Sequence, residues 1–170
     1  MTARVPTLRP ALYLDPSVIE DGIRGRMRPR DRAAVCRLAA MVSEQVLSVY
    51  CPREAREAIA RASPEQQKRH GREYAALKVL GETEQGWLDE SEEGRPEESP
   101  EFSALVSFLK NVEDARHVMQ ARSTGVRDVV AAETSRLVRN AEELEARMGL
   151  RVFRPADYLS RWSTQQRLPG

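Results

Sequence analysis

The chain has 170 residues, of which 41% are hydrophobic and 31% charged, and a net charge of +1. That length suits one domain with its own core, and the composition is that of a soluble globular protein without a membrane-spanning stretch. Near-neutrality excludes a chain whose total charge alone would attract nucleic acid, and two cysteines and two histidines exclude the usual zinc spacings.

Pro6, Arg9 and Pro10 interrupt residues 1–10, which read as a lead-in without a secretion core. Cys36 and Cys51 agree with a reducing compartment, so a cytoplasmic protein is expected. Ala11-Leu12-Tyr13-Leu14 reads as a short buried strand, and Ser17 to Ile23 as a helical turn or two. Arg24, Arg26, Arg28, Arg30 and Arg32 form a basic stripe, expected on an exposed connection with RNA phosphates as one possible contact. Asp31 is a plausible N-cap for an amphipathic helix through Val35, Leu38 and Val42.

Val46 to Tyr50 reads as a second strand, followed by a helix led by Pro52 and holding Glu54, Glu57 and Ile59. Ser63-Pro64-Glu65-Gln66 is a capping-box signature for a helix to about Leu80. The acidic segment 82–101 reads as a mobile loop or insertion with Trp87 and Leu88 as a docking point. Helices follow from Ser99-Pro100 and from Asn111, the second with Asp114 in its first turn and Gly125 beyond its end. Val126 to Ala132 reads as a strand, then a helix capped by Thr134 and stopped at Gly149. Leu150 to Phe153 reads as the last strand and Pro155 as the start of a terminal helix, with 163–170 as a tail. This alternation predicts a single α/β domain over 11–162, a parallel central sheet flanked by helices on both faces.

Asp15 ends the first strand, Asp114 opens a helix and Glu133 follows Val129-Val130-Ala131-Ala132. Buried acids at element ends are costly unless paired, and three of them point to a metal site. Carboxylates suit hard cations, Mg2+ or Mn2+, which serve phosphodiester hydrolysis without a nucleophilic serine or cysteine.

The chain resembles the PIN-domain ribonucleases, in particular VapC-type toxins of bacterial toxin–antitoxin pairs. The resemblance is carried by Leu12-Tyr13-Leu14-Asp15-Pro16-Ser17-Val18-Ile19, Asp114-Ala115-Arg116-His117, Val129-Val130-Ala131-Ala132-Glu133 and Gly149-Leu150-Arg151-Val152-Phe153-Arg154-Pro155. It implies an Mg2+- or Mn2+-dependent endoribonuclease with RNA as substrate, a cognate antitoxin as partner and a homodimer as a common state. By resemblance, Asp15, Asp114 and Glu133 hold the metal, and Ser17 orients the carboxylates. The family's remaining acid, a glutamate in the helix after the second strand, is best matched by Glu57, with Glu54 one turn earlier also open. His117 is expected to be structural. Ala131 and Glu133 replace the family's threonine and aspartate, which leaves a PIN-like module that binds RNA or protein without cleaving as the alternative. An aspartate-based phosphatase or receiver is disfavoured, since Ser17 stands where a second aspartate is needed and no lysine follows Lys110.

Overall fold

The computed structural model of the protein describes residues 9–82, 87–88 and 99–167. The apolar run Ala11–Leu14 forms strand β1, and Asp15 ends it by capping helix α1 (Pro16–Ile23). The Asp15 carboxylate accepts the Ser17 N–H, and Pro16, which has no N–H to satisfy, fits the first helical turn.

Helix α2 (Pro29–Ser43) also opens on a proline, so the arginines divide. Arg24, Arg26 and Arg28 lie on the link before it, while Arg30 and Arg32 belong to the helix rather than to the expected connection. The cap position is Arg28, not Asp31. Asp31 is buried in the first turn, and its carboxylate accepts the N–H of Ala156.

Strand β2 (Ser48–Pro52) begins two residues later than the apolar pattern predicts. Gln45 adopts φ 62° and the Val46 N–H returns to the Met41 carbonyl, so this stretch closes α2 instead of extending β2. Helices α3 (Arg53–Ala60), α4 (Pro64–Arg69) and α5 (Gly71–Gly81) follow. The Ser63–Gln66 capping box is formed in both directions, but His70 (φ −120°, ψ 36°) splits the expected single helix. Trp87–Leu88 is a short strand, β3, paired with Cys51–Pro52; the remainder of the acidic segment, 83–86 and 89–98, lies outside the described residues.

Helix α6 (Pro100–Leu109) is capped by Ser99 and α7 (Val112–Ser123) by Asn111, as their sequences predict. Strand β4 (Asp128–Val130), helices α8 (Arg136–Arg139) and α9 (Ala141–Met148), strand β5 (Arg151–Phe153) and helix α10 (Pro155–Arg167) complete the chain. Ser135 caps α8 in place of Thr134, whose hydroxyl donates to Asp21. The Asn140 amide donates to the Arg136 carbonyl and separates α8 from α9. Helix α10 runs into the segment expected as a tail.

The strands form one parallel sheet in the order β3-β2-β1-β4-β5, flanked by helices on both faces. Alternation along β1 separates two apolar cores. Leu12 and Leu14 pack with α1, α2, α3 and α5, whereas Tyr13 packs with α6 and α7. The Tyr13 hydroxyl also donates to Gln120, which ties α7 to β1. No helix among the described residues is long and apolar enough to cross a membrane. Because β1 lies between β2 and β4, the segments leaving those three strands meet at one edge, where open α/β sheets place their sites.

Candidate metal centre

Asp15 anchors that edge. It is 3% exposed, its N–H donates to the Val130 carbonyl of β4, and one carboxylate oxygen accepts the Ser17 N–H. The other oxygen, Oδ1, is buried without a hydrogen-bond partner. Ser17 holds Asp15 through its backbone; its hydroxyl instead accepts the N–H of Ala132 and so ties α1 to the segment leaving β4. The Ser17 main chain, not the side chain expected to orient the carboxylates, is thus what meets Asp15, and its hydroxyl meets the segment after β4.

Three further groups gather around this point from α3 and the first two turns of α7. Glu54 presents a buried Oε2 with no hydrogen-bond partner. His117 is 8% exposed, and its Nδ1 lies 3.4 Å from Asp15 Oδ1 without the alignment of a hydrogen bond. Asp114 lies close enough for the Asp15 charge to act on it. Burial first, then that negative charge, raises the Asp114 carboxyl above its ordinary value, against the lowering pull of His117 and Arg136. For His117 burial alone would lower the pKa, but the approach and charge of Asp15, with the charges of Glu54 and Asp114, outweigh it and raise it.

The remaining predicted residues sit elsewhere. Glu57 is exposed and paired with Arg53 at 3.0 Å along α3, so Glu54, not Glu57, is the glutamate that lies beside His117. The apolar face of α3 explains the choice: Ala55, Ala58 and Ile59 are buried, and Glu54 stands one turn before Ala58 on the same side. Glu133 is also drawn away, because Arg28 at 2.7 Å and Arg154 at 3.6 Å hold its carboxylate. It borders a shallow cleft with Asp21, Arg26, Asp31, Thr134 and Pro155. Arg28, expected to meet RNA, is therefore already engaged by Glu133, while Arg24, Arg26 and Arg30 are exposed and Arg32 is half-buried.

Sequence reasoning missed Arg136, which places a guanidinium 3.7 Å from Asp114 while remaining half-exposed. It also set His117 aside, although its spacing of three from Asp114 puts both on one helix face. Asp15, Glu54 and Asp114 all lie near enough to His117 for their charges to act on it, and Arg136 stands beside Asp114: carboxylates of the kind that suit a hard cation, beside a cation suited to phosphate. Asp15 and Glu54 each keep a buried carboxylate oxygen without a donor, a standing cost that a cation would relieve, and among the described residues ligand atoms of Glu54, Glu113 and His117 lie within 4.8 Å of one another. Comparison with protein-family models, with curated proteins and with solved structures returned no match.

Proposed function

We propose that this protein is an Mg2+- or Mn2+-dependent endoribonuclease, and that Asp15, Glu54 and Asp114 hold its metal. The observation that carries the reading is the convergence of these carboxylates on His117 from three separate elements, with buried oxygens of Asp15 and Glu54 lacking hydrogen-bond partners. When bound, a divalent ion supplies Lewis acidity to a phosphoryl oxygen and lowers the pKa of water enough for attack at neutral pH. The protein's own groups do the positioning. His117 supports Asp15 from the core, Ser17 fixes the turn that carries it, and Arg136 is available to orient a phosphate. Exposed Arg24, Arg26 and Arg30 offer salt-sensitive contacts to an RNA backbone. The toxin setting, with an antitoxin partner and dimerisation, accompanies this reading through the family resemblance.

A second reading, a binding module that no longer cleaves, is favoured by one observation: Glu133 is held by two arginines instead of joining the cluster. The deciding experiment is cleavage of a panel of structured and single-stranded RNAs with Mn2+, with Mg2+ and with chelator. Metal-dependent cutting that disappears in Asp15→Asn supports the nuclease. Intact RNA after incubation with folded, inhibitor-free protein and either ion leaves the binding module.

A further inference from the structure

We propose that Glu54, Glu113 and His117 form a second cation site, one that takes a first-row transition-metal dication, Zn2+ or Mn2+, in preference to Mg2+ or Ca2+. One potential ligand atom from each of the three residues lies within 4.8 Å of the others. Donors about 2.1 Å from a tetrahedral ion stand about 3.4 Å apart, so closure requires only a small movement. Glu113 can provide it, because its side chain is more than half exposed.

Spacing and burial carry the assignment independently of the RNA reading. Glu113 and His117 are four residues apart on α7, the separation that brings two side chains to one face of a helix and lets both reach one ion. His117 is more than nine-tenths buried, yet neither ring nitrogen has a hydrogen-bond partner. Its Nδ1 faces Asp15, which leaves Nε2 as the nitrogen for a metal. Metal-bound histidines ordinarily donate their second nitrogen to a carboxylate, which fixes ring and tautomer, and the 3.4 Å approach of Nδ1 to Asp15 needs only alignment to do so. The Glu54 oxygen in the same space is also buried and unsatisfied. The Glu113 contact with Arg116, at 2.7 Å, lies at the surface and is weakly held against a metal.

Imidazole decides the class of ion. Mg2+ prefers oxygen ligands and sheds water reluctantly, whereas Zn2+, Mn2+ and Co2+ accept a nitrogen with two carboxylates. The site adjoins the Asp15–Asp114 cluster and shares Glu54 with it, so the two positions together resemble a paired-ion arrangement with unequal donor sets.

The test is Co2+ and Zn2+ titration of the whole chain, with Co2+ followed by its visible absorption and Zn2+ by calorimetry. Wild type should bind either ion in the presence of excess Mg2+. Glu113→Gln and His117→Gln should each weaken binding about tenfold or more, while Glu57→Gln retains it. Glu113→Gln keeps the test decisive if the buried substitution does not fold, because Glu113 is a surface residue. Unchanged affinity in Glu113→Gln, or Mg2+ displacing Co2+ on equal terms, overturns the proposal. Because no RNA enters this experiment, the site stands if it binds Co2+ as described while RNA is left uncut. Conversely, Mg2+-supported cleavage without Glu113-dependent Co2+ binding removes this site alone.

Discussion

Replacing Asp15 by asparagine should leave the metal-free fold as stable as before, or more so, at mildly alkaline pH. Asparagine retains the cap, since it accepts an N–H as well as aspartate does and the Ser17 N–H is already in place. The substitution removes the buried Oδ1 that lacks a donor, a penalty of about 1–3 kcal/mol. The new amide faces His117 Nδ1, which accepts when the neutral imidazole carries its proton on Nε2. For a chain of this size 1 kcal/mol corresponds to about 2–4 °C in melting temperature. Asp15→Ala, which loses the cap as well, should melt about 1 kcal/mol below Asp15→Asn. Acidification changes the sign. The His117 pKa is raised in the folded state, so the attraction to Asp15 contributes fully below the unfolded imidazole value, about 6.5, and fades as pH rises through the folded value. Asp15→Asn therefore loses ground to wild type as pH falls. Mg2+, which the imidazole-containing site disfavours, should at a hundred times its Kd stabilise wild type by about 2.7 kcal/mol and the variant hardly at all. Calorimetric melting of the three proteins, with and without Mg2+ and at two pH values, checks each part. An Asp15→Asn protein that melts several degrees below wild type without metal at alkaline pH would refute the orphaned-oxygen argument. Equal protection of both proteins by Mg2+ would refute the placement of the metal.

Glu54→Gln should abolish the Mn2+-induced rise in melting temperature, whereas Glu57→Ala should preserve it and change stability by about 0.5 kcal/mol or less, the scale of an exposed pair along a helix. In an alkylation time course Cys36 should react and Cys51 should wait for unfolding. Burial pushes the Cys51 thiol up to about 11, and its sulfur faces the Leu80 and Gly81 carbonyls. Asp31→Ala should cost about 1–2 kcal/mol in denaturant unfolding, because a buried carboxylate that satisfies the Ala156 N–H at the start of α10 is lost. Gly149→Ala should destabilise by about 1 kcal/mol, since φ is 69° there and the surroundings are open, so the cost is conformational. An unchanged midpoint in either unfolding experiment would contradict the corresponding argument.

The parts legible in the sequence are those written by local chemistry. A four-residue apolar run closed by Asp15-Pro16, the Ser63–Gln66 box, the Asn111 cap and Gly149 at the end of α9 each form where their residue types dictate. Distant partners were not legible. Glu133 looked like a ligand because it follows a strand, but Arg28 and Arg154 reach it from separate segments, and no short window contains both. Asp31 looked like a local cap and serves a helix at the opposite end of the chain. Glu54 could have been preferred to Glu57 from spacing alone, because Ala55, Ala58 and Ile59 mark the inward face of α3 and Glu54 borders it. Apolar periodicity runs on through His70 and Asn140, where the chain breaks its helices. At Asn140 a side-chain hydrogen bond to the backbone interrupts the helix, and periodicity of apolar residues does not report such bonds.

The separation of the apolar interior into two cores places the acidic centre on a seam. Asp15 and Glu54 extend from elements packed in the first core, while Asp114 and His117 ride on α7, whose apolar face belongs to the second. Across the sheet edge, α7 meets β1 through Tyr13 and Gln120. Anything that bridges these side chains therefore acts as a clasp between two halves that could otherwise open independently. In amide hydrogen exchange the amides of α3 and α7 should slow together when the clasp closes, although the two helices rest on opposite faces of the sheet.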